Sequence, residues 1–361
     1  MALTDKDPAD PLDESIEPTE QQAEQELEIS RRFVDWKTLA SFAFAVAVLI
    51  FVIATGHINL GDLLRRVRAA NKGLFLAAFA VYYLTFPLRG LRWKVLLENA
   101  YRETHSDAVD QMTVRGLSEI IFISWFVNCV VPAKLGDLYR AYLAKLWVHI
   151  SFTKTIGTVV AERIVDILVL GFLMAATGFI VFHNKLGGVS TILFLGMGLA
   201  IVGVLALIAM KTMSHRIRRL IPARFRERYI AFEEGALQSL RRLPLLLSIT
   251  ILIWFLEGSR LQLVVLSLGL QGTISHISTI PLAPMLFFAL ATAVLTTVPF
   301  TPGGLGLVEA GLYGMMLYLG VPKLDGAAIV LVDRLLSYYS VAFLGFLVYL
   351  VSKRSHHRHP S

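Results

Sequence analysis

An all-α polytopic membrane protein is the fold class this sequence predicts, with about six full transmembrane helices, two re-entrant broken-helix pairs and an inverted internal repeat. Three observations predict it. The chain is 55% hydrophobic and only 17% charged over 361 residues, with a mean hydropathy of +0.63, which is too apolar for a soluble domain. Two apolar runs are too short to cross a bilayer and end in proline, as segments that enter the membrane and turn back do. Charged motifs placed inside apolar runs recur in the same order about 170 residues apart, the mark of a transporter fold built by internal duplication.

The elements follow in order. Residues 1–34 read as a disordered acidic cytoplasmic tail, because positions 1–30 hold ten carboxylates against Lys6 alone, −9 of the net +7, with no hydrophobic periodicity. Residues 35–351 form the transmembrane domain, with repeat one at about 60–182 and repeat two at about 230–351, and 352–361 is a basic cytoplasmic tail. A ~30 Å hydrocarbon core needs ~20 apolar residues, a length met or nearly met at 38–55, 74–91, 157–182, 189–210, 245–270 and 327–351. The short runs are 118–132 and 284–300, each completed by a second short helix near 135–150 and 305–321. The segment 56–73 reads as an amphipathic surface helix, since Leu60, Leu63, Leu64 and Val67 share one face. The basic loop 211–244, with Arg216, Arg218, Arg219, Arg224, Arg226 and Arg228 among its cations, lies in the cytoplasm by the positive-inside rule, whereas 271–283 has no Lys or Arg and lies outside. Both termini are then cytoplasmic. The first broken pair dips in from the cytoplasm and the second from outside.

The repeat is ordered at four positions. Arg92 to Arg260 is 168 residues, Pro132 to Pro299 is 167, Gly136 to Gly306 is 170 and Arg163 to Arg334 is 171. The motifs that carry it are LRGLRWKVLL, VPAKLGDLYRA and AERIVDILVL in the first copy, answered by LEGSRLQLVV, VPFTPGGLGLVEA and VDRLLSYYSV in the second. An ionisable group at mid-membrane costs at least ~2.5 kcal/mol on insertion scales and requires a partner, a wet cavity or a function. Glu162 and Asp166 lie four apart on one helical face with Arg163 beside them, Glu257 and Arg260 lie three apart, as do Arg89 and Arg92, and Asp333 adjoins Arg334. Two readings are open: the charges line a shared polar interior, or they are mutual ion pairs that lock the helices.

The breaks add backbone chemistry. A Gly/Pro-rich turn between half-helices leaves N–H groups that attract anions. Thr301, Pro302, Gly303, Gly304 and Gly306 make one such turn, followed by Glu309; Pro132 and Gly136 make the other, where Lys134, Asp137 and Arg140 supply charge. The competing reading is that the glycines serve only close helix packing. Trp36, Trp93, Trp147, Tyr82 and Tyr83 read as interface anchors near helix ends. Cys129 is the only cysteine, which excludes an internal disulfide, a redox pair and a thiolate metal site. HExxH, GxSxG and Walker signatures are absent, so no metal, cofactor or catalytic residue is expected.

Residues RGLRWKVLL, the stretch from Asn128 through VPAKLGDLY to Arg140, AERIVD, the VPFTPGGLGLVEA turn and VDRLL together resemble the flippase-like membrane domain of bacterial lysylphosphatidylglycerol synthases, over about residues 35–351. The resemblance implies a domain of helices and re-entrant segments that moves or handles lipids with phosphate-containing head groups; similar domains occur in lipid-linked sugar pathways. The family commonly has Glu where this chain has Asp137. The soluble aminoacyl-transfer domain of full-length synthases has no counterpart in the ten residues after 351, so lysine transfer is not expected. The sequence reading is therefore translocation of an anionic phosphate-containing lipid, phospholipid or polyprenyl phosphate, across the plasma membrane. Arg92, Arg140, Arg163, Arg260 and Arg334 bind the phosphate, Glu162, Asp166, Glu309 and Asp333 balance the empty site, and Asn128, Lys134, Gly136, Asp137, Pro302, Gly303, Gly304 and Gly306 complete it. The partners are the bilayer and this lipid, not nucleic acid, and a homo-oligomer stays open. The alternative is a membrane enzyme, or enzyme partner, holding a lipid substrate in envelope-lipid or glycolipid synthesis.

Overall fold

The computed structural model describes residues 59–356 except 105–108, 110, 132–133, 183–193, scattered positions between 195 and 220, 275–280 and 298–300. The expected acidic tail, the 38–55 span, Trp36, the prolines of the VP steps and much of the 189–210 span lie outside the described residues.

Helix α1 (Leu60–Arg68) opens on Asn59, whose side chain accepts from the N–H groups of Gly61 and Asp62. As expected for an amphipathic helix, Leu63 is buried and Val67 packs on the core. Leu60 and Leu64, at 54% and 42% exposed, are left for lipid. Helix α2 (Lys72–Tyr101) runs 30 residues, about 45 Å at 1.5 Å per residue. Helices α3 (Val114–Val130) and α4 (Gly136–Val148) form the first broken pair, and α5 (Phe152–Phe182) follows. Helix α6 (Ala223–Gln238) leads through a short 3-10 turn into α7 (Leu243–Ser267). The second broken pair is α8 (Leu282–Thr297) and α9 (Leu307–Tyr318); α10 (Lys323–Arg334) then passes through a π-turn at Leu335–Tyr339 into α11 (Ser340–His356). Among the described residues four helices are long and apolar enough to span: Lys72–Tyr101, Phe152–Val181, Ala223–Ser267 and Lys323–Ser352.

Contacts fix which ends lie together. At one end of the bundle Glu103 pairs with Arg241, the Tyr101 hydroxyl donates to Ser151 O at 3.0 Å, and Lys154 pairs with Glu234 at 3.8 Å. At the other, Asn71 N–H donates to Ser267 O at 2.7 Å and Arg66 pairs with Asp325. The first broken pair therefore leaves and returns to the Tyr101 end, between α2 and α5, and the second leaves and returns to the Ser267 end, between α7 and α10. The two enter from opposite sides. The basic α1 lies at the Ser267 end, opposite Arg241 and Arg242, so cations stand at both ends of the bundle and the positive-inside rule is not met by this segment.

Two expectations are corrected. The stretch 211–244 is not simply a loop: α6 lies within it, exposing Arg224, Arg226 and Arg228 while burying Glu233, Gly235 and Ala236 against α5. The close approach is made by paired glycines, since a Cβ on Gly157 would meet Phe232 O and lie 2.7 Å from Ala236 N, and one on Gly235 would meet Lys154 O. The second correction concerns Trp93 and Tyr82, which are core residues and not interface anchors. Helix α2 continues ten residues past the expected end of its span, which carries Trp93 inward, where its indole N–H donates to Thr158 Oγ1 at 3.3 Å.

Gly157→Val should lower the unfolding temperature in detergent strongly, because the obstructing atoms are backbone and overpacking costs at least about 1–3 kcal/mol. Gly198→Val, where nothing lies within 4 Å of the added Cβ, should melt with wild type. Equal melting of the two variants would refute the α5–α6 crossing.

Candidate functional site

The buried charges form two groups. In the first, Arg92 on α2 donates to Asp166 Oδ1 at 2.5 Å and Glu162 Oε1 at 2.6 Å on α5, and to Thr250 Oγ1 at 2.8 Å on α7. Arg140 on α4 takes the other oxygen of Glu162 at 2.8 Å, with its guanidinium 5.3 Å above the Trp93 ring. Arg163 grips Asp137 with two parallel hydrogen bonds, 2.9 and 2.7 Å, the strong geometry for such pairs. In the second, Glu257 on α7 accepts from Arg89 at 3.0 Å and Arg260 at 3.1 Å, and Arg260 also pairs with Asp333 on α10. Arg334 donates to Glu309 Oε1 at 2.7 Å, while Glu309 Oε2 accepts the Gly306 N–H at 2.6 Å. Both groups use nearly the same separations. Asp137 to Arg163 is 26 residues and Glu309 to Arg334 is 25; Arg92 to Asp166 is 74 and Arg260 to Asp333 is 73.

The breaks are shaped by local necessity. Gly136 packs against Ser124 O and Asn128, leaving no room for a Cβ, and its N–H donates to Asn128 Oδ1 at 2.9 Å. In the short 3-10 turn Pro302–Gly304, Gly303 and Gly304 have φ of 57° and 72°, and Gly306 has 84°, the left-handed region that glycine alone enters freely. The first N–H at each break is thus already met, by Asn128 and by Glu309, and not left for an anion.

The two breaks meet. Tyr338, from the π-turn, donates its hydroxyl to Cys129 O at 2.6 Å, and its ring would collide with a Cβ built on Gly303, which itself lies 3.7 Å from Cys129 Cα. A cavity of about 250 Å³ lies at this junction, walled by Asn128, Cys129 and Lys134 from the first break and by Thr297, Thr301 and Gly303 from the second. Of the sequence candidates, Asn128, Lys134, Arg163, Asp166, Arg260, Gly303, Asp333 and Arg334 line it. Arg92, Asp137, Arg140, Glu162 and Glu309 stand behind this wall, each bound to another charge, while Gly136, Pro302, Gly304 and Gly306 shape the chain at the breaks. The charges that line the cavity, Lys134 apart, are thus also members of the ion pairs that lock the helices.

Sequence reasoning counts Arg89 and Glu257 among the buried charges but not among the binding residues, and the cavity includes both. It also misses Tyr82, Trp125, Trp254, Thr292, Thr296 and Ser337. Thr292 and Thr296, four apart in an otherwise apolar short helix, carried a readable signal. Ser337 and Tyr338 carried none, because a π-turn decides where they point.

The charges do not cancel. Arg89, Arg92, Lys134, Arg140, Arg163, Arg260 and Arg334 face Asp137, Glu162, Asp166, Glu257, Glu309 and Asp333, seven cations against six carboxylates. Lys134 is the surplus: among the described residues it has no partner, since its neighbours Asp137 and Asp166 are held by Arg163 and Arg92. Its backbone is left-handed at φ 52°, a conformation uncommon outside glycine that needs support from its surroundings. Among the described residues, Arg334 Nη2 and Trp254 Nε1 are further buried donors without a partner.

Fold and site together define a polytopic helical membrane protein with a net-positive cavity where two broken helix pairs meet. The chain belongs to the lysylphosphatidylglycerol synthase TM region family, whose model matches residues 39–345. It is 30% identical over 240 residues to a UPF0104 membrane protein of Methanocaldococcus jannaschii, covering 64% of this chain and 95% of the relative. It is 24% identical to a UPF0104 membrane protein of Methanothermobacter thermautotrophicus, over 83% of this chain and 90% of the relative. It is also 26% identical to the glycosyltransferase AglD of Haloferax volcanii over 73% of this chain, a match that spans 46% of that longer protein.

Arg92→Ala should destabilise the protein by about 3–5 kcal/mol, because it strands Glu162 and Asp166 as buried uncompensated charges. Lys134→Ala, which breaks no pair, should melt within a few degrees of wild type. Thermal unfolding followed by tryptophan fluorescence separates the two.

Proposed function

We propose that the protein binds the phosphate of an anionic lipid in the cavity between the two breaks and passes the lipid across the membrane, the plasma membrane, with both termini on the cytoplasmic side. One observation carries this reading: Lys134, the one cavity cation without a partner among the described residues, in a net-positive cavity reached by breaks that enter from opposite sides. A lone charge in such a place is costly, and a phosphate repays it. The surplus is matched by a monoanion. The nearly equal separations of the charge pairs support reading 60–182 and 230–351 as an inverted repeat, the architecture that lets one site face either side in turn. A second reading, a partner of lipid-linked synthesis that holds the substrate without moving it, is favoured by the likeness to a glycosyltransferase.

Reconstitution separates them. In liposomes carrying tail-labelled fluorescent phosphatidylglycerol, the protein should expose inner-leaflet lipid to an external quencher. Lys134→Ala should slow this at least tenfold and Lys134→Arg should restore most of it. No movement above protein-free vesicles, with saturable lipid binding retained, would favour the second reading. Wild-type movement by folded Lys134→Ala would remove the cavity from the mechanism.

A further inference from the structure

Two ion pairs, one at each end of the bundle, occupy matching places in the proposed repeat and join its halves. At the Ser267 end Arg66 of α1 holds Asp325 of α10, and at the Tyr101 end Glu234 of α6 meets Lys154 of α5 at 3.8 Å. Arg66 to Glu234 is 168 residues, the same offset as Arg92 to Arg260; Lys154 to Asp325 is 171, the same as Arg163 to Arg334. Exposure matches too: 40% and 42% for the side chains of Arg66 and Glu234, 10% and 8% for those of Asp325 and Lys154. A hydrogen bond repeats beside each pair. Asn71 N–H donates to Ser267 O at 2.7 Å, and at the equivalent positions Asn99 Nδ2 donates to Ser239 O at 2.8 Å. Only the sign of the charges is exchanged, so matching the halves residue by residue hides a correspondence that the contacts keep.

The two ties differ in what makes them. At the Tyr101 end α5 and α6 cross backbone on backbone, because Gly157 and Gly235 leave no room for a Cβ. The equivalent positions at the Ser267 end are Ala328 and Val67, whose side chains rule out so close an approach. There the hydrogen-bonded pair of Arg66 and Asp325 does the fastening. A half-exposed ion pair is releasable, since water takes over each partner as they separate; packed backbones have no such substitute. Helix α10 runs from Asp325 to the cavity-lining Asp333 and Arg334, and the second broken pair enters beside it. We infer that Arg66 and Asp325 form a latch over the Ser267 face of the cavity, and that the outer turn of α10 swings away when the pair parts while the α5–α6 tie stays in place. This rests on the two-sided cavity proposed above and names the residues that control one side of it.

The chain's only cysteine, Cys129, lines the cavity and reports its opening. Membrane vesicles of both orientations are treated with a membrane-impermeant methanethiosulfonate, which forms a mixed disulfide with the thiol and releases a sulfinate, and labelling is timed by mass spectrometry. Arg66→Ala should raise the labelling rate at least fivefold from the Ser267 face, the outer one in right-side-out vesicles, and leave the other face unchanged. Arg66→Glu with Asp325→Lys, which copies the sign of the other tie, should return the wild-type rate. Glu234→Ala should change labelling from neither face. Asp325→Asn repeats the test should Arg66→Ala fail to fold. A wild-type rate in Arg66→Ala and Asp325→Asn, zero included, overturns the latch, as does an equal rise from both faces, which marks general loosening. A rise with Glu234→Ala as large as with Arg66→Ala overturns the contrast between the ties. The liposome assay judges the lipid reading separately: wild-type protein that moves lipid keeps that reading whatever the latch does, and protein that moves none removes it even where labelling is one-sided.

Discussion

Arg92 is the fixed point of the molecule. Its guanidinium, 1% exposed, holds two carboxylates of α5 and a threonine of α7 from its place on α2, and through Glu162 it reaches Arg140 on α4. A charge taken from water is stabilised only by partners at hydrogen-bond distance in good geometry, so four helices are constrained to one mutual arrangement. Hydrophobic burial cannot do this in lipid, where the surrounding chains are as apolar as the helix faces. The second group, Glu257 with Arg89, Arg260 and Asp333, imposes the same constraint on α2, α7 and α10.

Because these pairs hold the frame, the breaks can be open. A chain that leaves helical geometry inside a membrane must have its backbone groups met by protein. Asn128 meets Gly136, Glu309 meets Gly306, Tyr338 meets Cys129 and Tyr82 meets Ser337 O at 2.9 Å. The π-turn contributes here: it turns Ser337 and Tyr338 toward the junction, as π-bulges often do at functional sites. The result is a small cavity in which one cation, Lys134, is left unpaired among the described residues.

Much of this was legible in the sequence. Hydropathy found the four spans that the described residues show, and the short apolar runs found the breaks, because a helix needs a set length to cross lipid. Spacing found Arg92, Glu162, Asp166 and Arg163, because charge in an apolar run is rare enough to stand out. The failures share a cause. Trp93 stands just past the hydropathy boundary at 91, and that boundary lies ten residues short because the helix continues through LRWKVLLENAY, where paired charges lower the hydropathy without ending the helix; Tyr82, at mid-span, is drawn into the core by its hydrogen bond to Ser337 O, a partner 255 residues away.

The sequence by itself determined that this chain lives in a membrane, where it breaks its helices and which residues must find charged partners, since each of these follows from the cost of placing polar groups in hydrocarbon. Which charge takes which partner was decided only by the tertiary structure. Arg163 hydrogen-bonds Asp137 and reaches its own neighbour Asp166 only at 3.6 Å, Arg92 takes Asp166 at hydrogen-bond distance, and Lys134 is left without a partner among the described residues. That choice depends on distances of a few ångströms between helices far apart in sequence, and at that range electrostatic energies change too steeply for spacing along the chain to settle them.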